Sequence, residues 1–211
     1  MQFPPAFTTQ KSRICLRHKH LIWTELPSPD GFGSGVYTSH IPSGTLPRFI
    51  DGKTTLGDSE AIVEYLEETY PSFPMLHKTI NDHAKITELS RFHDTRLEPC
   101  IRALFAHLPP KEPTQAYLAE NSKLISQQIK QLESLLHNTT KFGLSLGDYG
   151  FPLTFAWIEA LKPVLNLSLT IPNAVQKYLN WVVSTPAVAE ELSQYKPVLQ
   201  AWFAVKGARC N

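Results

Sequence analysis

Cysteine is scarce in this chain. Cys15, Cys100 and Cys210 are odd in number and far apart, so neither a disulfide framework nor a cysteine-ligated metal site is expected. Long apolar runs are also missing. None approaches the roughly 20 residues that a bilayer-spanning helix requires, and the opening MQFPPAFTTQKSR lacks the charged-then-apolar order of a secretory signal, so a cytoplasmic protein with no membrane partner is expected. Charge of one sign is not in excess either: 20 basic residues face 19 acidic ones, which leaves no electrostatic case for a nucleic-acid partner. The eight histidines are dispersed, and no metal is expected. His18 and His20 lie two apart and so do not share a helix face; with Arg17 and Lys19 they read as a solvated helix end.

The chain does have the makings of a core. With 211 residues, 42% of them hydrophobic and 18% charged, it is large enough for one large domain or two modest ones. The densest information lies in SGTLPRFIDGKTTLGDSEAIVEYLEETY, residues 43 to 70. Asp51-Gly52 between two short β-prone runs marks a hairpin, because a tight reversal needs residues that tolerate positive φ. Asp58 precedes Ala61, Ile62, Tyr65 and Leu66 at helical spacing, which predicts a helix from near residue 58 to about Tyr70, stopped by Pro71. The first turn of such a helix carries unpaired N–H groups and a partial positive charge, so Ser59 and its neighbours form a place for a small carboxylate. Leu46, held before Pro47, is biased to extended backbone; a cis proline there would present a fixed backbone edge. The two features together would hold both ends of a short peptide-like ligand.

Upstream, Phe3 is expected to end a short strand, a helix is expected from Thr9 to His20 with Thr9 as its cap, and Leu21–Leu26 reads as a strand. Strand, helix, strand in one sheet implies a parallel pair with a right-handed crossover. Residues 27 to 45 are rich in proline and glycine and read as loop with at most one helical turn. After Pro71, Phe73 and Pro74 the pattern becomes helical. A helix over 78 to 107 is expected to kink at Pro99, and a second long helix carries Tyr117 to Leu136. Ser145 and Asp148 form a capping-box pattern with Leu144 and Tyr149 as its staple, opening an almost wholly apolar helix from Phe151 to Leu161. Helices from Pro172 to Ser184 and from Pro186 to Tyr195 follow, and Val198–Val205 reads as a separate last segment folding back over a domain cleft. The fold class is α/β plus all-α, with domains at 1–71 and 78–211.

Leu46-Pro47, Phe49-Ile50-Asp51-Gly52, Asp58-Ser59-Glu60-Ala61-Ile62 and Glu64-Tyr65-Leu66 resemble the glutathione-binding half of the cytosolic glutathione transferase family. The resemblance implies a thioredoxin-like N-terminal domain followed by an all-helical one, and a homodimer. It implies glutathione as co-substrate, with its cysteinyl part on the backbone of Leu46 beside Pro47, its γ-glutamyl end on Asp58 and Ser59, and its glycine end near His40. An electrophilic small molecule, as in detoxification, would sit between the domains, with Phe7, Arg96, Arg102, Phe105 and Trp202 as candidate lining residues.

The family activates the thiol with a Tyr, Ser or Cys near the start of the first helix, since a free thiol is mostly protonated at neutral pH. This chain departs from that pattern. The usual position falls near Ala6, and the nearest hydroxyls are Thr8 and Thr9, the catalytic candidates. Cys15 lies too deep in the helix, which argues against a mixed-disulfide mechanism. The alternative is a non-catalytic transferase-like binding or scaffold module, which Ala6 favours.

Overall fold

The computed structural model describes residues 7–206 apart from 29, 32, 110 and 140–142, with the side chains of Phe7 and His40 also outside the description. The chain forms two compact units that divide between Pro74 and Met75. The expected strand ending at Phe3 lies outside the described residues.

In the N-terminal unit, α1 (Phe7–His18) leads through a loop with a short α2 (Gly35–His40) to the strands β1 (Phe49–Asp51) and β2 (Thr54–Leu56), and then to α3 (Ser59–Thr69). The strands pair antiparallel, Asp51 opposite Thr54, and Gly52 takes the positive φ of +57° that the reversal demands. The hairpin and the following helix thus lie where the sequence puts them. Two upstream expectations are corrected. Helix α1 begins at Phe7, so Thr9 is inside its first turn and does not cap it. It also ends earlier than expected, since His20 adopts φ +54° and the amides of His20 and Leu21 turn back to the carbonyls of Arg17 and Leu16. That is a Schellman ending with histidine where glycine is usual.

Leu21–Leu26 forms no strand among the described residues. A strand exists only through ladder bonds to a neighbour, and here Ile22 is fully exposed and Leu26 is 78% exposed. The parallel crossover expected from that strand is therefore not seen among the described residues, where the sheet is the two-stranded hairpin. Ile14, Cys15 and Leu16 on α1 and Ile62, Val63 and Leu66 on α3 build the core of this unit.

The second unit is all helical. Helix α4 (Ile80–Phe92) passes through a wide π turn (His93–Leu97) into α5 (Glu98–Ala103), so the break comes just before Pro99. Next are α6 (Gln115–Asn138), α7 (Phe151–Val164), α8 (Asn173–Ser184) and α9 (Pro186–Val205). Before α7 the capping box forms: one Asp148 oxygen accepts the Ser145 amide at 2.8 Å and the Ser145 hydroxyl at 2.6 Å, and the other accepts the Tyr178 hydroxyl at 2.8 Å. Helix α7 is buried from Phe151 to Ile158 and is the centre of the unit. Trp157 packs against Phe105, Trp202 and Phe203, and donates its indole N–H to Tyr195 at 2.5 Å. The expected break after Tyr195 does not occur, because α9 runs on through Pro197 to Val205. Pro197 lies on the exposed face, where water can take the carbonyl bond its missing N–H gives up, while Tyr195, Leu199, Trp202 and Phe203 hold the other face.

Candidate functional site

The loop before β1 delivers the expected edge. Leu46–Pro47 is a cis peptide; Pro47 is buried, and Leu46 stays exposed at the surface of the N-terminal unit. The segment leading to it is anchored by Tyr37 of α2, fully buried, whose hydroxyl donates to the carbonyl of Thr45 at 2.8 Å. Burial pushes that phenol above its ordinary pKa, so it remains a donor at neutral pH.

The start of α1 meets this edge. The hydroxyl of Thr8, half-buried in the first turn, donates to the carbonyl oxygen of Leu46 at 3.0 Å. Thr9 does not reach it; its hydroxyl is buried and without a partner among the described residues. Of the two candidate hydroxyls, Thr8 is thus the one beside the cis-proline edge. Cys15 is fully buried, and burial raises its thiol from 9.0 to about 12, so it is inert.

At the start of α3, Asp58 is the N-cap. Its Oδ1 accepts the amides of Glu60 and Ala61, both at 3.0 Å, and its other oxygen makes no hydrogen bond among the described residues. Ser59 follows as the first helical residue, 95% buried, on the positive end of the helix. Its hydroxyl is likewise unengaged among the described residues. The N-terminal unit therefore presents, in chain order, a hydroxyl at a helix start, an exposed extended edge at a cis-proline, and a helix N-terminus with a free carboxylate oxygen and a serine.

A sequence profile described as "Glutathione S-transferase, N-terminal domain" matches residues 3–74. Among curated proteins, glutathione S-transferase Z1 of Arabidopsis thaliana is 29% identical over 131 residues, covering 60% of this chain and 59% of that protein. A glutathione transferase of Bombyx mori superposes with a TM-score of 0.79 at 15% identity, covering 97% of this chain and 94% of the other. The theta class glutathione S-transferase from Xanthomonas axonopodis pv. citri, solved with glutathione bound, superposes with a TM-score of 0.71 at 17% identity over 88% of this chain and 92% of the other. Residues 3–74, about a third of the chain, thus match a glutathione transferase N-terminal domain. The fold of the chain is that of these glutathione transferases, a thioredoxin-like N-terminal domain followed by an all-helical one. The chain spans less than two thirds of the length of the curated transferases it matches, 59% of the first and 43% of the second.

Other sequence candidates fare unevenly in this chain. His40 ends α2, but its side chain lies outside the described residues. Phe105 and Trp202 pack on Trp157. Arg102, itself exposed, pairs with the buried Glu98 of α5 at 2.5 Å, Arg96 is exposed, and the side chain of Phe7 is not described.

Sequence reasoning missed two lysines. Lys19 was expected in solvent with Arg17; instead its ammonium is buried, 2.7 Å from Glu67 and 2.7 Å from the carbonyl of Tyr70. Lys11, on α1, the helix whose last residue Lys19 follows, is buried against Glu60 of α3. The available signal was the spacing, since lysines eight apart and acids seven apart each mark one helix face.

Proposed function

We propose that this protein is a catalytically active glutathione transferase that holds glutathione as co-substrate in its N-terminal unit and joins the thiol sulfur to an electrophilic small molecule. In this reading the cysteinyl part of glutathione pairs with the backbone of Leu46 beside Pro47, and its γ-glutamyl end lies on Ser59 and the free oxygen of Asp58. His40 is on the loop expected to face the glycine end. The sulfur–carbon bond forms from the thiolate, and the electrophile either expels a leaving group or takes up a proton.

The observation that supports this most directly is the bond from Thr8 to Leu46 at 3.0 Å. A threonine hydroxyl has one proton to donate. When a cysteinyl N–H takes over the Leu46 carbonyl, that proton is free to turn to the sulfur, and donation to the anion favours the thiolate. The α1 N-terminus adds its dipole in the same sense. Thr8 thereby serves where Ala6 has no donor, and Thr9, with its hydroxyl buried away from the edge, is set aside. Action on toxic electrophiles in the cytoplasm, as a homodimer, comes with the family resemblance; the described residues contain no helix long and apolar enough to cross a membrane.

Thiolate absorbance of the glutathione complex, titrated in wild type, Thr8→Val and Thr9→Val, tests the assignment. Thr8→Val is expected to raise the apparent thiol pKa by about one unit, with Thr9→Val titrating like wild type. Equal titration of Thr8→Val and wild type would remove Thr8 from the chemistry, and absence of glutathione binding at millimolar concentration by calorimetry would end the transferase reading.

A further inference from the structure

Helices α1 and α3 lie side by side, and two buried ion pairs join them. Lys11 meets Glu60, with side chains 3% and 8% exposed, near the N-termini of both helices. Lys19 meets Glu67, with side chains 0% and 12% exposed, near the C-termini of both. Eight residues on α1 and seven on α3 both correspond to about 10–12 Å of helix, so the pairs form two matching fixed points and the helices run parallel. Between them the contact is made by Ile14, Cys15, Ile62, Val63 and Leu66, all buried.

Apolar packing of this kind is non-directional and tolerates sliding. An ammonium–carboxylate contact does not, because it is kept only at short distance and in a narrow geometry. Burying such a pair carries a desolvation cost that offsets most of its attraction, so its effect on register exceeds its effect on stability. The two pairs differ in what they hold. Lys11 is three residues beyond Thr8 and Glu60 is next to Ser59, whereas Lys19 and Glu67 are more than a turn from either residue. The amide of Glu60 is also one of the two tied to Asp58.

We propose that Lys11 and Glu60 are a positioning pair for the glutathione site, holding the Thr8 hydroxyl and the Ser59 helix N-terminus in the one spacing that fits both the thiol and the γ-glutamyl carboxylate. The inference rests on the transferase reading above. Neither side chain touches glutathione; they act through the helices they join. The Lys19–Glu67 pair is the internal control, equal in kind and remote from the ligand.

The experiment measures glutathione affinity, the thiolate pH profile and the melting temperature of each variant. Lys11→Met is expected to weaken glutathione about tenfold and to shift the thiolate titration upward, with Lys11→Arg within about threefold of wild type, because a misplacement of about 1 Å in a site has effects of that size or larger. Lys19→Met is expected to melt earlier but to bind and titrate as wild type does. Should either lysine variant fail to fold, the apolar pairs Lys11→Met with Glu60→Leu and Lys19→Met with Glu67→Leu replace it; the first is expected to recover melting but not affinity. If Lys11→Met and Lys19→Met change affinity equally, or if the apolar pair at 11 and 60 restores affinity and the titration together, the positioning role is overturned. A wild type that binds no glutathione would instead overturn the transferase reading.

Discussion

His93 sits at the π turn of the helical unit, its two ring nitrogens each 2.7 Å from an oxygen, Asp94 Oδ1 on one side and Thr154 Oγ1 on the other. The order carboxylate, imidazole, hydroxyl is that of a nucleophilic triad, but Thr154 is fully buried and His93 is 4% exposed, so no substrate reaches it and its role is structural. Gly150 is what lets the ring fit: a Cβ there would fall 2.3 Å from two of its atoms. Gly150→Ala is therefore expected to destabilise the protein by about 2–3 kcal/mol, as overpacking does. In urea unfolding, adding His93→Ala to that variant should relieve part of the loss, since the three nearest atoms all belong to the ring. Additive effects of the two substitutions would show that the ring is not what limits residue 150.

At the scale of elements, the proposed glutathione site would give the N-cap residue of α3 two jobs. Asp58 caps the helix through Oδ1 and leaves its other oxygen open, so stability and ligand affinity can be separated there. Asp58→Ala is expected to cost about 1 kcal/mol of stability, the usual value of an N-cap. Asp58→Ser keeps a capping oxygen and removes the charge; its urea midpoint should stay near that of wild type while glutathione affinity, read by calorimetry, falls. Undiminished affinity in Asp58→Ser would mean that the carboxylate serves the helix alone. The hairpin is tied to the same helix at its other end, where Tyr70 and Tyr65 donate to Asp51 at 2.6 and 3.1 Å. Both ends of α3 thus depend on acids that the chain supplies within a few turns.

Across the whole molecule, burial has selected acids that must stay neutral. Burial pushes the Cys15 thiol from 9.0 to about 12, raises Tyr178 well above its ordinary range with help from the Asp148 charge, and raises Tyr195 as well. An acid whose folded pKa is raised binds its proton more tightly when folded. Its contribution is complete below the ordinary pKa and is lost as pH climbs towards the folded value. Between neutral pH and about pH 9 these three groups are expected to leave stability unchanged, and above that to lower it by up to about 1.4 kcal/mol per pH unit each. Urea unfolding across that range measures the slope, and Cys15→Ala should make it shallower between the ordinary thiol pKa and about 12. An unchanged slope in Cys15→Ala would mean that the thiol ionises no later in the folded chain than in the unfolded one.

What could be read from the amino-acid sequence closes over short distances. Asp51-Gly52, Asp58 with the amides two and three residues on, and Ser145 with Asp148 each form a contact that neighbouring residues bring about unaided, so their chemistry is written in local order. The apolar stripe of α7 is legible for the same reason. The positions of Thr8, Lys11 and Lys19 were not legible. Thr8 finds Leu46 across 38 residues, Lys11 finds Glu60 across 49, and Lys19 finds Tyr70 across 51. Composition leaves a lysine in solvent by default, because only a carboxylate fixed by another helix can hold a buried ammonium. Leu21–Leu26 is the converse case, a β-prone run that becomes a strand only where another strand offers its bonds. The sequence by itself thus determined the turns and the caps; the tertiary structure decided which threonine meets the cis-proline edge and which charges are buried, since those depend on partners far away along the chain.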